Sequence, residues 1–231
     1  MLKCQFHCHA KGDLLDDVRY TPKALIKEAA RLNYDVICIT AHRTILFNKD
    51  LKRYANKLGV LLIPGIEFEV NGKHTLGINA HSDLEKVRTI NDLRTYRQNH
   101  PETFIIAAHP FFYPPRICHH QQLLDNLELF DAIEHSYFYT KKINFNKKAI
   151  ATAKKHQKAL VSTADCHLLK HLDIGYSYLD ANKNLPSVMT ALRQGKIKMH
   201  TQPLSLWKMI GITIQLFMME PLGFLRLFKR H

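Results

Sequence analysis

Imidazoles and carboxylates stand where short apolar runs end: His7 and His9 in QFHCH, His42 in VICITAH, Glu67 in VLLIPGIE, His109 in FIIAAH, and Asp165 with His167 in LVSTADCH. Nitrogen and oxygen donors that converge make a site for divalent transition metals. Ions held in such a site polarise phosphoryl oxygens and acidify a bound water. In an extended strand, residues i and i+2 share a face, so His7 and His9 can reach one site while Cys8 points away. An HxH pair alone also fits a solvated strand face; the later strand ends give it weight. Rival chemistries are missing: there is no Ser-His-Asp arrangement or phosphate-binding glycine loop, and HCHAKGD lacks the Cys-x5-Arg spacing of a thiolate phosphatase.

The elements that must position these residues alternate between strand and helix. After the first strand, Thr21 and Pro22 predict a helix to about Leu32, with Thr at the cap and Pro in the first turn. Asp35 to Thr40 reads as a strand, Asn48 to Leu58 as a basic helix closed by Gly59, and Val60 to Ile66 as a third strand. Leu76 to Ala80, Thr103 to Ala108, Asp131 to His135 and Ala159 to Thr163 read as further strands. Helices are expected near Glu85 to Asn99, Gln121 to Leu129 and Asn146 to His156. Such alternation implies a mostly parallel sheet, and a parallel barrel gathers strand ends around one mouth.

The length leaves room for one large domain or two small ones, and barrels of this size often form one. The chain has 231 residues, nearly half of them hydrophobic (46%), which disfavours disorder. Lys and Arg number 33 against 20 Asp and Glu, a formal charge of +13 that favours phosphate esters, nucleic acid or an acidic lipid surface without choosing among them. Five cysteines, an odd number with no zinc-finger spacing, read as reduced thiols in a cytoplasmic protein. The N-terminus enters a strand directly and lacks a signal-peptide core. No obligate protein partner is evident.

Residues 201–231 differ from the rest. Leu204 to Phe228 is strongly apolar, interrupted by Lys208, Gln215 and Glu220, with Pro221 expected to break a helix. Its uninterrupted apolar length is short for a membrane span. The segment is either a helix packed on the domain or an interfacial anchor at the inner membrane surface, with Arg226, Lys229 and Arg230 facing anionic lipid.

The order FHCHA, ITAH, GIEFE followed by HTLGI, AAHP, IEHSY and STADCH resembles the PHP family, named for polymerase and histidinol phosphatase domains. The resemblance runs from about Lys3 to Gly195. It implies an α/β fold, a distorted seven-stranded (β/α)7 TIM-like barrel over residues 1–200, with the apolar C-terminal helix added. It also implies two or three divalent ions (zinc, manganese or iron) and phosphoester hydrolysis. By position, the resemblance puts metal ligands at His7, His9, Asp13, His42, Glu67, His74, His109, Asp165 and His167. His81 competes with His74, which the HTLGI match favours. Glu134 and His135 are expected behind the ligands, and His119 and His120 at the surface.

Two departures from the family pattern stand out. Ala41 replaces the acid that usually precedes the second-motif histidine, and Tyr137 follows the IE motif where relatives carry an amide. Asp165, His167 and Arg43 are the candidate catalytic residues, the first two for proton transfer and Arg43 for a substrate phosphate; a solvated loop arginine is an equal reading of Arg43. Only about 35 residues separate His74 from His109, too few for a large inserted domain. A small phosphomonoester, a metabolite or nucleotide, is the expected substrate. The alternatives are a 5′→3′ exonuclease on short oligonucleotides, phosphotyrosine-protein hydrolysis, and a noncatalytic metal- or ligand-binding barrel with a docking C-terminal helix.

Overall fold

The computed structural model describes residues 1–113 and 116–219. Nine strands form one sheet: β1 (Leu2–Gln5), β2 (Val36–Ile39), β3 (Leu61–Val70), β4 (Lys73–Ile78), β5 (Phe104–Ala107), β6 (Ala132–Ser136), β7 (Ala159–Thr163), β8 (Gly175–Leu179) and β9 (Ile197–Thr201). Their spatial order is β7-β6-β5-β4-β3-β2-β1-β8-β9. The β1-β2-β3 and β5-β6-β7 groups are parallel. β4 runs antiparallel between them, and β8 and β9 add antiparallel pairings beside β1.

The fold is thus a mixed α/β, nearly closed distorted barrel. The seven strands expected from the sequence are all present, and the structure adds β8 and β9. Serine side chains stitch the gap between β7 and β8. Ser162 N–H donates to Ser177 Oγ (3.0 Å), Ser177 Oγ donates to the Ser162 carbonyl (2.9 Å), and Ser162 Oγ donates to the His200 carbonyl on β9 (3.0 Å). Gly175 permits this approach: a Cβ there would lie 2.7 Å from the Thr163 carbonyl oxygen.

Helices α1 (Pro22–Arg31), α2 (Lys49–Lys57), α3 (Ile90–Asn99), α4 (Gln121–Asp125), α5 (Asn146–Lys155) and α6 (Leu185–Arg193) follow the strands. Thr21 Oγ1 accepts from Ala24 N–H and Asn48 Oδ1 from Leu51 N–H, caps worth about 1 kcal/mol each. α3 starts later than the sequence suggested because Thr89 and Asp92 form a capping box, preceded by a 3-10 turn at Ser82–Lys86. The segment expected as one helix from Gln121 splits into α4 and a 3-10 turn at Leu127–Leu129.

Inside the barrel, Cys4, Phe6, Val36, Cys38, Ile63 and Ile106 pack with Val188 and Leu192 of α6. α6 joins the end of β8 to the start of β9, so it plugs the end away from the parallel strands' C-termini. The last described helix, α7 (Leu206–Met219), rests on the other end. Leu204, Met209 and Ile212 pack against Tyr137, Phe138 and Ile174, and Leu204 N–H donates to the Tyr139 carbonyl (2.8 Å). Burying a side chain such as Ile212 contributes about 1.5–3 kcal/mol. No helix among the described residues is long and apolar enough to cross a membrane. Pro221, Arg226, Lys229 and Arg230 lie outside the described residues.

Candidate metal centre

The first ligand pair depends on a break in alternation. Cys4 and Phe6 both face the barrel interior, yet Cys8 packs outside with Leu25 and Ile26 of α1. The strand therefore changes face between Phe6 and His7, which turns His7 and His9 into the mouth. Gln5 Oε1 accepts the N–H groups of Phe6 (3.2 Å) and His7 (3.3 Å), satisfying backbone that the ladder leaves. Beyond β1 the chain pairs with the closing motif: His9 N–H donates to the Cys166 carbonyl (3.0 Å) and Cys166 N–H to that of His7 (3.3 Å). Likewise Arg43 N–H donates to the Glu67 carbonyl (2.7 Å), fixing His42 beside Glu67. Because β4 is antiparallel, His74 near its start meets the same mouth.

Glu67 stands at the centre. Its Oε2 lies 3.1 Å from His7 Nε2, 3.3 Å from His9 Nε2 and 3.2 Å from His42 Nε2. Its Oε1 lies 2.8 Å from His74 Nδ1 and 3.8 Å from His109 Nε2. Asp165 Oδ1 approaches Nε2 of His7 (3.2 Å) and of His9 (3.3 Å). Asp13 Oδ2 accepts from His9 Nδ1 (2.8 Å) and from the His42 N–H (2.8 Å). His109 and Asp165 take positive φ angles of 28° and 42°, costly for side-chain-bearing residues and typical of functional sites.

Other groups hold the ligands from behind. His7 Nδ1 donates to Glu134 Oε1 (2.7 Å), His109 N–H donates to Glu134 Oε2 (2.5 Å), and Thr163 Oγ1 also donates to this carboxylate. His119 was expected at the surface but is buried. Its Nε2 donates to the His74 carbonyl (2.8 Å) while Nδ1 accepts from Gln122 Nε2 (3.3 Å). A carboxylate adjoining an imidazole fixes its tautomer and raises its basicity as a ligand.

The electrostatics suit cations. Burial disfavours charge on His7, but Asp165, Glu67 and Glu134 outweigh it and push its pKa up to about 10. Burial opposes charge on His9 too, and hydrogen bonds to Asp13, Asp165 and Glu67 raise it well above the usual value. His74 goes the other way, lowered by burial. Glu67 overcomes its burial through His42, His74 and His7 and stays ionised well below the usual range.

The donors fit divalent ions on two observations. His9 Nε2 and Glu67 Oε1 are fully buried with no hydrogen-bond partner of acceptable geometry, which is costly unless something else satisfies them. Their neighbours form three overlapping sets of donor atoms, each within 4.8 Å: His7, His9, Glu67, Asp165; then His9, Asp13, Asp16, His42; then His42, Glu67, His74. Imidazole and carboxylate together suit zinc, manganese or iron.

The family model for the PHP domain matches residues 5–192. The chain belongs to the PHP family. No curated protein matches its sequence significantly. Among solved structures, this PHP domain is similar to a two-domain protein containing a predicted PHP-like metal-dependent phosphoesterase from Bacteroides vulgatus (TM-score 0.67, 19% identity, covering 93% of this chain and 69% of that one). It is similar to PsfC from Pseudomonas syringae (TM-score 0.64, 15% identity, 96% and 98% covered). It is also similar to the lesion-specific endonuclease PfuEndoQ from Pyrococcus furiosus (TM-score 0.58, 11% identity, 92% and 66% covered). At these identities the likeness is one of fold.

Of the residues singled out in the sequence, His7, His9, Asp13, His42, Glu67, His74 and Asp165 enter the converging sets of this PHP domain. His109 joins none of the sets: its Nε2 lies 3.8 Å from Glu67, and its Nδ1 lies 3.4 Å from Cys118 Sγ. His167 stacks on His9 (4.1 Å between ring centres) but sends Nε2 to Asp16 (2.6 Å) and Nδ1 to the Asp165 carbonyl (3.1 Å), so it joins none of the sets. Arg43 pairs through Nε with Glu69 (2.5 Å) and leaves its side chain 40% exposed. His81 does not compete with His74: it forms a surface cluster with His100 and Glu102. His135 faces away from the site and edges onto Tyr139 (5.2 Å), whereas Glu134 faces in. Asp16 was missed, and its signal is one acid among three in the loop GDLLDD. The loss of an acid at Ala41 does not isolate His42, whose Nδ1 lies 3.2 Å from Asp13 and 3.4 Å from Asp16.

Proposed function

We propose that this PHP domain hydrolyses a phosphomonoester, that of a small phosphorylated metabolite or a nucleotide. The observation that carries the reading is Glu67, buried among five imidazoles within 3.8 Å, with Asp165 opposite it on His7 and His9. His7, His9, Glu67 and Asp165 would hold one ion, and His42, Glu67 and His74 a second with His109 beside them. His9, Asp13, Asp16 and His42 are the donors for a third. Bound ions supply Lewis-acid polarisation of phosphate oxygens and a water acidic enough to be deprotonated near neutral pH.

The chain's own groups then divide the remaining work. Glu134 holds His7 in the tautomer that presents Nε2 to the site, and Asp13 does the same for His9 when no third ion draws on Asp13. Asp165 is partly open to the mouth; burial opposes its charge, but His7, His9 and His167 hold it ionised, so it can orient a water or substrate hydroxyl as hydrogen-bond acceptor. His167, whose Nε2 is hydrogen-bonded to Asp16 beside the mouth, is the candidate proton donor to the leaving oxygen. Arg43, partly exposed and held by Glu69, is available to a substrate phosphate.

A second reading, a 5′→3′ exonuclease on short oligonucleotides, draws support from the formal charge of +13 and from the fold shared with a lesion-specific endonuclease. The test is release of phosphate or nucleotide by the purified chain with Mn²⁺ or Zn²⁺ on a panel of phosphomonoesters and 5′-phosphorylated oligonucleotides. His9→Ala and Asp165→Ala should abolish turnover while the protein stays folded. Lack of turnover on the whole panel by metal-loaded protein would favour the noncatalytic barrel.

A further inference from the structure

The mouth of the barrel carries an unusual rim. On α7, Trp207, Ile210 and Ile214 share one outward face at 82%, 39% and 53% exposure, with Leu206 beside them at 54%. The opposite face, through Met209 and Ile212, is pinned to Tyr137, Phe138 and Ile174. Three connections place α7 at the mouth end: Tyr137 follows β6, Ile174 precedes the reversed β8, and α7 itself follows β9. Other mouth loops are exposed and apolar too: Leu14 (64%) after β1, Tyr113 (73%) after β5, and Ile143 (44%) and Phe145 (42%) after β6. Phe145 touches Phe112 (5.4 Å between ring centres), so the two last loops are continuous.

Charge on the α7 and post-β6 side of this rim is prevailingly positive, whereas the loop after β1 carries Asp13, Asp16 and Asp17. The sequence holds no Asp or Glu between residues 135 and 164, where Lys141, Lys142, Lys147 and Lys148 lie, and none between residues 181 and 219, which include Lys208. Lys170 and Lys208 line one cleft at the base of α7 together with Asp173, whose charge is taken up by Lys3. Exposed aromatic and aliphatic side chains interleaved with lysines match a lipid headgroup layer, where amphipathic rings sit at the interface and cations meet anionic headgroups.

We infer that the mouth rim, with α7 foremost, docks on an anionic lipid surface, seating Trp207, Ile210 and Ile214 at headgroup level and turning the barrel mouth toward the membrane. Each lysine near such a surface strengthens binding roughly fivefold, an effect that salt screens. An apolar helix face bordered by Lys141, Lys142, Lys170 and Lys208 favours anionic lipid over a second copy of this chain, whose α7 side would carry the same lysines.

Trp207 is the sole tryptophan, so its fluorescence reads this face directly. The full chain is titrated with vesicles of phosphatidylcholine, with and without phosphatidylglycerol, and with bromine-labelled acyl chains. The expected result is a blue shift and bromine quenching with phosphatidylglycerol vesicles, weakened by salt and lost in Ile210→Glu/Ile214→Glu. Those two positions are exposed, so circular dichroism of that variant should match the parent. Unchanged emission with any vesicle overturns the proposal, as does equal binding to neutral vesicles. Emission already blue-shifted without lipid also overturns it: if concentration-dependent, a second copy covers the face, and otherwise the chain's own remaining residues do. None of these readouts depends on catalysis.

Discussion

Glu134 Oε1 lies 2.7 Å from Nδ1 of His7, on the opposite side of that ring from Glu67. The imidazole is thereby clamped between two buried carboxylates, and only Nε2 is presented to the site. The second oxygen of Glu134 takes the backbone N–H of His109, so one carboxylate sets two ligand positions.

Replacing Glu134 by Gln removes the charge but nearly keeps the shape. Loss of such a partner typically costs 10–100-fold in metal affinity or activity. Glu134→Gln should therefore weaken metal binding by about that range while the barrel stays folded. Titration with a chromophoric chelator measures it, and unchanged affinity would show that the clamp is incidental.

Metal uptake should release protons. In the metal-free protein His7 is raised from 6.5 to about 10, and His9 is also raised, so both are charged at neutral pH. Ligation needs neutral imidazoles, so protons leave and affinity climbs as pH rises from 6 toward about 10. The metal-free protein shows the reverse: stability from protonated His7 is full below pH 6.5 and fades as pH rises through about 10. Calorimetry in buffers of different ionisation enthalpy reads the proton count. No net release at pH 7 would contradict the assignment.

His119 predicts acid sensitivity of opposite sign. Burial holds its pKa down to about 3, so the folded state keeps it neutral while the unfolded chain protonates it below about 6.5. Its contribution is full above pH 6.5 and is lost as pH falls from there toward about 3. His119→Gln removes the titration and should flatten the fall in urea-unfolding stability over that window. At pH 7, His119→Leu, which leaves the His74 carbonyl without this donor, should cost about 1–3 kcal/mol. Identical acid slopes in parent and variant would contradict this role.

The Arg43 side chain pairs with Glu69, and in the proposed reaction it also meets a substrate phosphate. Arg43→Gln should lower kcat/KM about tenfold or more, the scale of one charge-assisted hydrogen bond of about 1.5–3 kcal/mol. Bound metal should not change. A variant that loses metal instead would make the Arg43–Glu69 pair a support of the centre.

Much of this centre was legible because strand periodicity and strand ends are local signals. His7 and His9 follow that rule even though the face change at Phe6, which brings them inward, does not show in the pattern. His74 came only through the family resemblance, since β4 begins with Lys and His. β8 (GYSYL) and β9 (IKMHT) escaped because their Ser, Lys and His residues break the apolar run. Their pairing across the gap depends on Ser162 and Ser177, residues 15 apart that only the closed barrel brings together. His119 looked exposed beside a Pro-rich stretch, yet Ile117 lies against β4 through the hydrogen bond from His74 N–H to its carbonyl, which brings His119 inward. Asp16 lies in a loop without periodicity, so nothing local separates it from Asp17.

Glu67 joins imidazoles from separate strands, and the proposed metal binding and phosphate-ester hydrolysis both depend on this junction. Elemental analysis of purified protein and of Glu67→Gln, paired with phosphate release by each, tests it most directly. The prediction is more than one zinc, manganese or iron ion per parent chain, with both metal and turnover lost in Glu67→Gln. Full turnover by protein stripped of metal, or undiminished metal in Glu67→Gln, would contradict it.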